Sequence, residues 1–386
     1  MKDATTTASG ANSLGTGTLR EDDSVTYLPT TQESCRGTND VSRKRLSTGT
    51  STMSTASVES DSSSSQSNTD LSNKVSYSDP SSSKTVSNDC HGLDWDAVSD
   101  DDLLGGEPNL LDRDVEIQGV KDILKSLTST QKGQLSDVRM PIRHFRAERG
   151  NTAKAIEKLL AALKWRSEFQ VSRLVGCMNQ NSQDQDGEFR DIMNLENATG
   201  KIFVRGYNKE GRSLIYMFND RNNTNHELNN MRHLCWNIEK AIACTRRKST
   251  ETGDKKMLDK HCLIMDMSNF SMRSAPPLST SKFTLDILQK HYPERIYRIY
   301  VCHAPLAFRL FWNLVKQFID PITKAKVVMV TEGNDGMRQL HDEVENIDQL
   351  ERCVRGQQNP VPPNFKEFDS HEYLNLPMDV TFGENL

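Results

Sequence analysis

The chain has 386 residues and a net charge of −5, enough length for one large domain or two ordinary ones. The first hundred residues carry 8 Lys or Arg against 14 Asp or Glu, so the remainder is close to +1, which excludes the broad basic surface of a nucleic-acid binder. Eight cysteines are scattered without a CxxC pair, Met1-Lys2-Asp3-Ala4 opens no signal peptide or myristoylation site, and no apolar run reaches the ~18 residues of a membrane span. Free thiols in a reducing cytosol, and membrane contact that is peripheral only, are expected.

Residues 1–90 hold 37 Ser or Thr and almost no aromatic side chains, too little apolar surface to offset the entropy of ordering. A disordered tail over 1–109 is expected. Within it, Arg43-Lys44-Arg45-Leu46-Ser47 suits a basophilic kinase acting on Ser47. Helical apolar spacing starts at Val115–Leu127. Pro141–Arg149 reads as a short helix stopped by Gly150, and Asn151 or Thr152 can cap the strong helix Thr152–Phe169. Residues 110–178 therefore form an expected all-helical module, followed by an Asn/Gln/Asp-rich linker, Asn179–Gly187.

The pattern then changes. Ile202–Tyr207 and Ser213–Phe218 read as a hairpin around the turn Asn208-Lys209-Glu210-Gly211. A long helix follows (Glu227–Arg247), then the continuous apolar strand Cys262–Met267, a helix (Thr280–His291), a strand (Tyr297–Cys302), a helix (Ala307–Ile319), a strand (Lys326–Val330) and helix signals over Asp335–Leu350. Strand and helix alternate, so residues 196–355 are expected to form an α/β lobe with a mixed, largely parallel sheet. The Pro- and Asn-rich residues 356–386 are expected to be a loosely ordered tail. No internal repeat is visible.

The helix Ala307–Ile319 is lopsided. Arg309, Asn313, Lys316, Gln317 and Asp320 fall in one polar sector, and Ala307, Phe308, Leu310, Phe311, Trp312, Leu314, Val315, Phe318 and Ile319 fill an apolar arc of roughly 200°, about twice what a one-sided surface helix needs. It is either a deeply buried core helix or a helix with one apolar side on a cavity and another on a membrane, with Phe311 and Phe318 facing differently from Trp312 and Ile319. The basic pair Arg309 and Lys316 suits an anionic membrane surface. Glu294 and Arg295 precede the strand before this helix, and Thr323 and Lys326 follow it. A single crossover can bring these ends together. Arg and Lys would neutralise a phosphate, Thr would donate a hydroxyl, and Glu would accept from sugar hydroxyls or orient Lys326. A structural salt bridge between Glu294 and Lys326 is the other reading.

The run HYPERIYRIYVCHAPLAFRLFWNLVKQFIDPITKAK (291–326) resembles the signature of the CRAL-TRIO lipid-binding family, of the yeast phosphatidylinositol-transfer protein type. IRHFRAE and LKWRSEF are similar to that family's N-terminal helical module, Asn208–Arg212 to its turn before a pocket strand, and Leu263–Asp266 to its central strand. The likeness runs from about Leu110 to Cys353. It implies a helical module packed on an α/β lobe with a hydrophobic cavity, and a movable gate at Ala307–Ile319. It also implies that Glu294, Thr323 and Lys326 organise an inositol-phosphate head, with Arg149 reaching in from the helical module. Glu148 stands where the family carries the first of two basic residues. Tyr216, Leu263, Phe308, Leu310, Phe311, Leu314, Val315 and Phe318 would form the acyl pocket and gate. His261 and Leu263 stand where phosphatidylcholine-handling members carry hydroxyls, so that lipid is not expected as a second ligand.

Enzyme signatures are missing. Cys302 to Arg309 is one residue too long for Cys-x5-Arg, and there is no Walker A, GxSxG, HExxH or GxGxxG run. His261-Cys262 and Cys302-His303 lack metal-ligand spacing, so no metal and no cofactor are expected. The basic stretch Arg246-Arg247-Lys248 with Lys255-Lys256 reads as a solvated loop. The expectation is a monomeric, cytoplasmic, peripherally membrane-associated carrier of phosphatidylinositol, without catalysis. A carrier of another hydrophobe (a tocopherol, retinoid or sterol) and a lipid-responsive adaptor are the alternatives.

Overall fold

The computed structural model describes residues 90–179, 187–251, 257–331, 333 and 335–384, which lie in one unit of the chain, Ser81–Leu386. The Ser/Thr-rich segment with Ser47, the middle of the linker, and Lys255-Lys256 lie outside the described residues.

The helical module comprises α1 (Asp100–Leu104), α2 (Arg113–Ser126), α3 (Ser129–Gly133), α4 (Met140–Ala147), α5 (Thr152–Glu168) and α6 (Val171–Gly176). Its helix starts follow capping chemistry. Thr128 and Gln131 form a reciprocal capping box on α3, and Asn151 Oδ1 accepts from Lys154 N at 3.0 Å on α5. Between α4 and α5 the chain turns through Arg149 (φ 52°) and Gly150 (φ 84°); a Cβ at 150 would lie 2.7 Å from Leu111 Cδ1.

Order begins earlier than the composition suggests. Leu103 and Leu104 are buried against Val120, Ile123 and Phe145 of the module's core. Glu116, fully buried, accepts from Leu110 N and Leu111 N at 2.8 and 3.1 Å and pairs with Arg146 at 2.7 Å. A short polar segment without periodicity is thus pinned by two leucines and one buried carboxylate, and residues 90–109 belong to the module rather than to the tail.

After α7 (Glu188–Asn197) the lobe runs β1 (Ile202–Tyr207), β2 (Ser213–Phe218), α8 (Glu227–Glu251), β3 (His261–Asp266), α9 (Leu278–Asp286), β4 (Ile296–Cys302), α10 (Leu306–Val315), α11 (Pro321–Ala325), β5 (Val327–Val330) and α12 (Asp335–Glu343). The sheet order is β1-β2-β3-β4-β5; β1 and β2 are antiparallel and the other pairs parallel. This is the mixed, largely parallel sheet that the alternation predicts. Because each new strand adds to the same edge, right-handed crossovers put α8, α9 and α10 on one face. α9 ends in a π-turn, Ile287–His291, and α10 in a 3₁₀ turn, Lys316–Phe318.

The opposite face is closed by α12 and the C-terminal segment, which is not a loose tail. α13 (Ser370–Asn375) places fully buried Tyr373 so that its hydroxyl donates to Asn237 Oδ1 (2.6 Å) and accepts from Val204 N (2.9 Å). Phe368 stacks on Phe203 at 4.4 Å, and Phe382 is buried beside them. Aromatic side chains spaced irregularly along a Pro/Asn-rich stretch fill the face that the crossovers leave open, a tertiary effect that no local periodicity reveals.

Module and lobe are joined by buried ion pairs. Arg143 contacts Asp137 and Asp259 at 2.6 Å each, Arg295 contacts the same two carboxylates at 2.8 and 3.2 Å, and Arg212 reaches Glu107 at 2.9 Å. The arginines hold the Asp137 carboxyl well below the ordinary range against the opposing effect of burial, and they hold Asp259 at about 2.

Candidate functional site

A cavity of about 1080 Å³ lies between the crossover-helix face of the sheet and the helices over it. Strand alternation supplies its floor. In the parallel register Ile215, Leu263 and Ile299 share one face with Met217, Met265 and Val301, and of these Met217, Leu263, Met265, Ile299 and Val301 line the cavity, with Val327 beyond. Tyr216 points to the other face, where it stacks on Phe203 at 5.6 Å. It is a core residue behind the sheet and not part of the acyl pocket: a shift of one strand position exchanges faces.

The lid of the cavity is α10 and the turn after it. Phe308, Phe311, Trp312, Val315, Phe318 and Ile319 line the cavity, while Leu306, Leu310 and Leu314 are 72%, 56% and 52% exposed. Both apolar sides of the wheel exist, but not where expected. Trp312 and Ile319 join Phe311 and Phe318 on the inner side, and the outer row is Leu306-Leu310-Leu314 at i, i+4, i+8. Leu310 and Leu314 therefore belong to the outer surface rather than the pocket. Phe270 packs edge-on against Phe308 at 5.4 Å and at 5.3 Å against Phe311, which seats the inner side.

One end of the cavity is polar. Glu294, at φ 55°, holds its carboxylate 3.4 Å from Lys326 Nζ and 3.3 Å from Lys260 Nζ. Burial lowers the Lys326 ammonium pKa, and Glu294 works against that shift. Thr323 sits in the first turn of α11, its N–H donating to the Asp320 cap at 2.8 Å. Arg149 and Glu148 reach the same cavity from the end of α4. Lys326 and Arg149 are thus the basic side chains that line this end, opposite the carboxylates of Glu294 and Glu148, while Lys260 braces Glu294 and also lies 4.0 Å from Glu107.

Arg295 does not join this group. It is 4% exposed, its guanidinium is committed to Asp137 and Asp259, and it is a strut between module and lobe. Lys260 was missed by sequence reasoning. The signal was topological: β3 and β4 are parallel neighbours with His261 N donating to Arg295 O, so the residue before β3 lies beside the loop before β4.

Among the described residues no group of three or more His, Cys, Asp or Glu could hold a metal ion, and no helix is long and apolar enough to cross a membrane. His261 is fully buried and its pKa is pushed down to about 3, chiefly by burial and further by Arg295, which makes it a neutral core side chain.

Residues 197–354 match the model of the CRAL/TRIO domain. The phosphatidylinositol transfer protein PDR17 of Saccharomyces cerevisiae is 31% identical over 190 residues, 48% of this chain and 50% of that protein. The CRAL-TRIO domain-containing protein C23B6.04c of Schizosaccharomyces pombe is 33% identical over 186 residues, 48% of this chain and 16% of that protein. The match thus spans half or less of these two relatives. Among solved structures, the crystal structure of Sfh5 aligns with a TM-score of 0.47 at 15% identity, covering 69% of this chain and 97% of that one.

Proposed function

We propose that this chain, which belongs to the CRAL-TRIO family through residues 197–354, is a non-catalytic carrier that takes up one phospholipid, most readily phosphatidylinositol, and transfers or presents it between membranes. The observation that carries the proposal is the cavity itself: about 1080 Å³, apolar on the sheet floor and the inner face of α10, and lined at one end by Arg149, Glu294, Thr323 and Lys326. Its volume exceeds the ~300–1,000 Å³ of ordinary small-molecule pockets. Each acyl CH₂ buried there is worth ~0.8 kcal/mol, so an apolar floor can match the bilayer that the lipid leaves.

The head is chosen by charge and hydrogen bonding. Lys326 and Arg149 suit the phosphate, while Thr323 and Glu294 suit the hydroxyls of a polyol ring. The exposed row Leu306-Leu310-Leu314, flanked by Arg309 and Lys316, suits a peripheral meeting with an anionic membrane at which α10 opens. The carrier would act as a cytoplasmic monomer.

Native mass spectrometry of the purified protein tests the cargo. A co-purifying inositol phospholipid, together with its transfer between vesicles, is the expected result. A neutral isoprenoid or sterol in its place, with no phospholipid transfer, sinks the headgroup assignment.

A further inference from the structure

The end of the lid is held by one side chain from another element. Gln289 lies in the π-turn that closes α9. Its Nε2 donates to Phe318 O at 3.1 Å, and its Oε1 accepts from Asp320 N at 2.9 Å. A third, longer bond runs from Nε2 to Leu285 O at 3.4 Å. The Asp320 N–H can only donate, so the oxygen of the carboxamide must face it, which fixes the orientation of the group. The carboxamide thus pairs with the backbone on both sides of Ile319, as a neighbouring strand would.

The paired segment is a joint. The 3₁₀ turn ends at Phe318, Ile319 is extended (φ −96°, ψ 131°), and Asp320 begins α11, which carries Thr323 and leads to Lys326. The other side-chain hydrogen bonds along Lys316–Asp320 are local, from Lys316 to Asn313, from Gln317 to Leu314 O and from Thr323 N to Asp320. The π-turn, by contrast, is firmly seated. His291 stacks on Trp165 of α5 at 4.1 Å, Tyr292 donates to Glu239 at 2.8 Å, and Arg166 of α5 pairs with Glu239 at 2.8 Å. One end of Gln289 is therefore tied to the helical module and the other to the lid.

We propose that Gln289 is the latch of the lid: its carboxamide holds the joint Phe318–Asp320 closed over the cavity and sets the rate at which a bound lipid leaves. The latch rests on the carrier reading above. It is a positioning residue, acting on the lid rather than on the lipid. Opening requires its two bonds to the joint to break together, after which Phe318 O and Asp320 N–H turn to water or headgroup.

The test compares full-length wild type with Gln289→Leu and Gln289→Glu. Leucine removes both bonds. Glutamate keeps the acceptor for Asp320 N–H but turns the donor to Phe318 O into a repelling oxygen. Hydrogen–deuterium exchange over Lys316–Thr323 should quicken about ten-fold in the leucine variant and by less in the glutamate variant, with α5 and α8 unchanged, as loss of two ordinary hydrogen bonds predicts. Pyrene-labelled phosphatidylinositol preloaded on the protein should leave for acceptor vesicles of phosphatidylcholine about ten-fold faster from the leucine variant. Exchange unchanged in the joint, or raised equally across the lobe, overturns the latch. So does a joint that loosens while release stays at the wild-type rate. If wild type itself takes up no lipid, the carrier reading falls and the latch's role in release falls with it, an outcome distinguishable because it appears without any substitution.

Discussion

Lys326 Nζ lies 3.4 Å from Glu294 Oε2, and Glu294 reaches it from a left-handed backbone position. Glu294 also lies 3.3 Å from Lys260, which has Glu107 as a second partner at 4.0 Å, so one carboxylate stands between two ammonium groups and is held for Lys326 by more than the pair itself.

Lys326→Ala is expected to lower phosphatidylinositol transfer by roughly ten-fold or more, the value of one charge-assisted hydrogen bond, while the melting temperature hardly moves. Vesicle transfer and thermal unfolding on the same sample check it. Wild-type transfer from this variant would return the pair to a structural role.

Leu310→Ser with Leu314→Ser should abolish most binding to anionic vesicles and change stability by no more than about 1 kcal/mol, because both side chains are already more than half exposed. Phe311→Ser, on the inner side, should instead impair lipid loading. Vesicle co-sedimentation beside urea unfolding separates the two faces. Equal loss of vesicle binding from Leu310→Ser/Leu314→Ser and Phe311→Ser would remove the distinction.

Folding stability should fall as pH drops below about 6.5. Burial pushes His144 and His291 down to about 4, and His233 and His261 down to about 3. The unfolded chain then binds more protons than the folded one between those values and 6.5, so the stability these rings contribute is complete above 6.5 and lost on acidification. Each fully buried ring is expected to cost about 2 kcal/mol between pH 6.5 and 5. Urea midpoints at pH 7.5, 6.5 and 5.5 read the slope, and a flat profile contradicts it.

Tyr373→Phe should destabilise the lobe by about 1–3 kcal/mol, since it strands the buried Val204 N–H and removes the donor to Asn237. Proteolysis after residue 355 should quicken in parallel. Unchanged stability and unchanged cleavage would mean that the segment is held by its phenylalanines alone.

Much of the lobe was legible because its signals are local. Alternation marked β1 to β5 as a largely parallel sheet, and the wheel marked α10 as apolar on two sides. Non-local placement was not legible. Which face Tyr216 or Leu310 takes depends on register and on a neighbour's position, and periodicity leaves both open. Arg295 reads like a phosphate ligand until Asp137, 158 residues earlier in the chain, is seen against it. The order at Leu103 and at Tyr373 comes from partners distant in sequence, Phe145 and Asn237.

The two faces of the sheet do different work. Crossovers that all pass on one side leave the aromatic packing of Phe203, Tyr216, Phe368, Tyr373 and Phe382 on the other, out of reach of any ligand. Cohesion of the lobe is only partly vested there, because Phe218, Met231, Leu234, Leu263 and Tyr292 belong to the same buried cluster and also line the cavity. A substitution on the sheet side of the cavity wall therefore costs the fold as well as the cavity's shape, whereas the partly buried Phe311 and Trp312 of the lid are the places where that shape can vary at least expense to the scaffold.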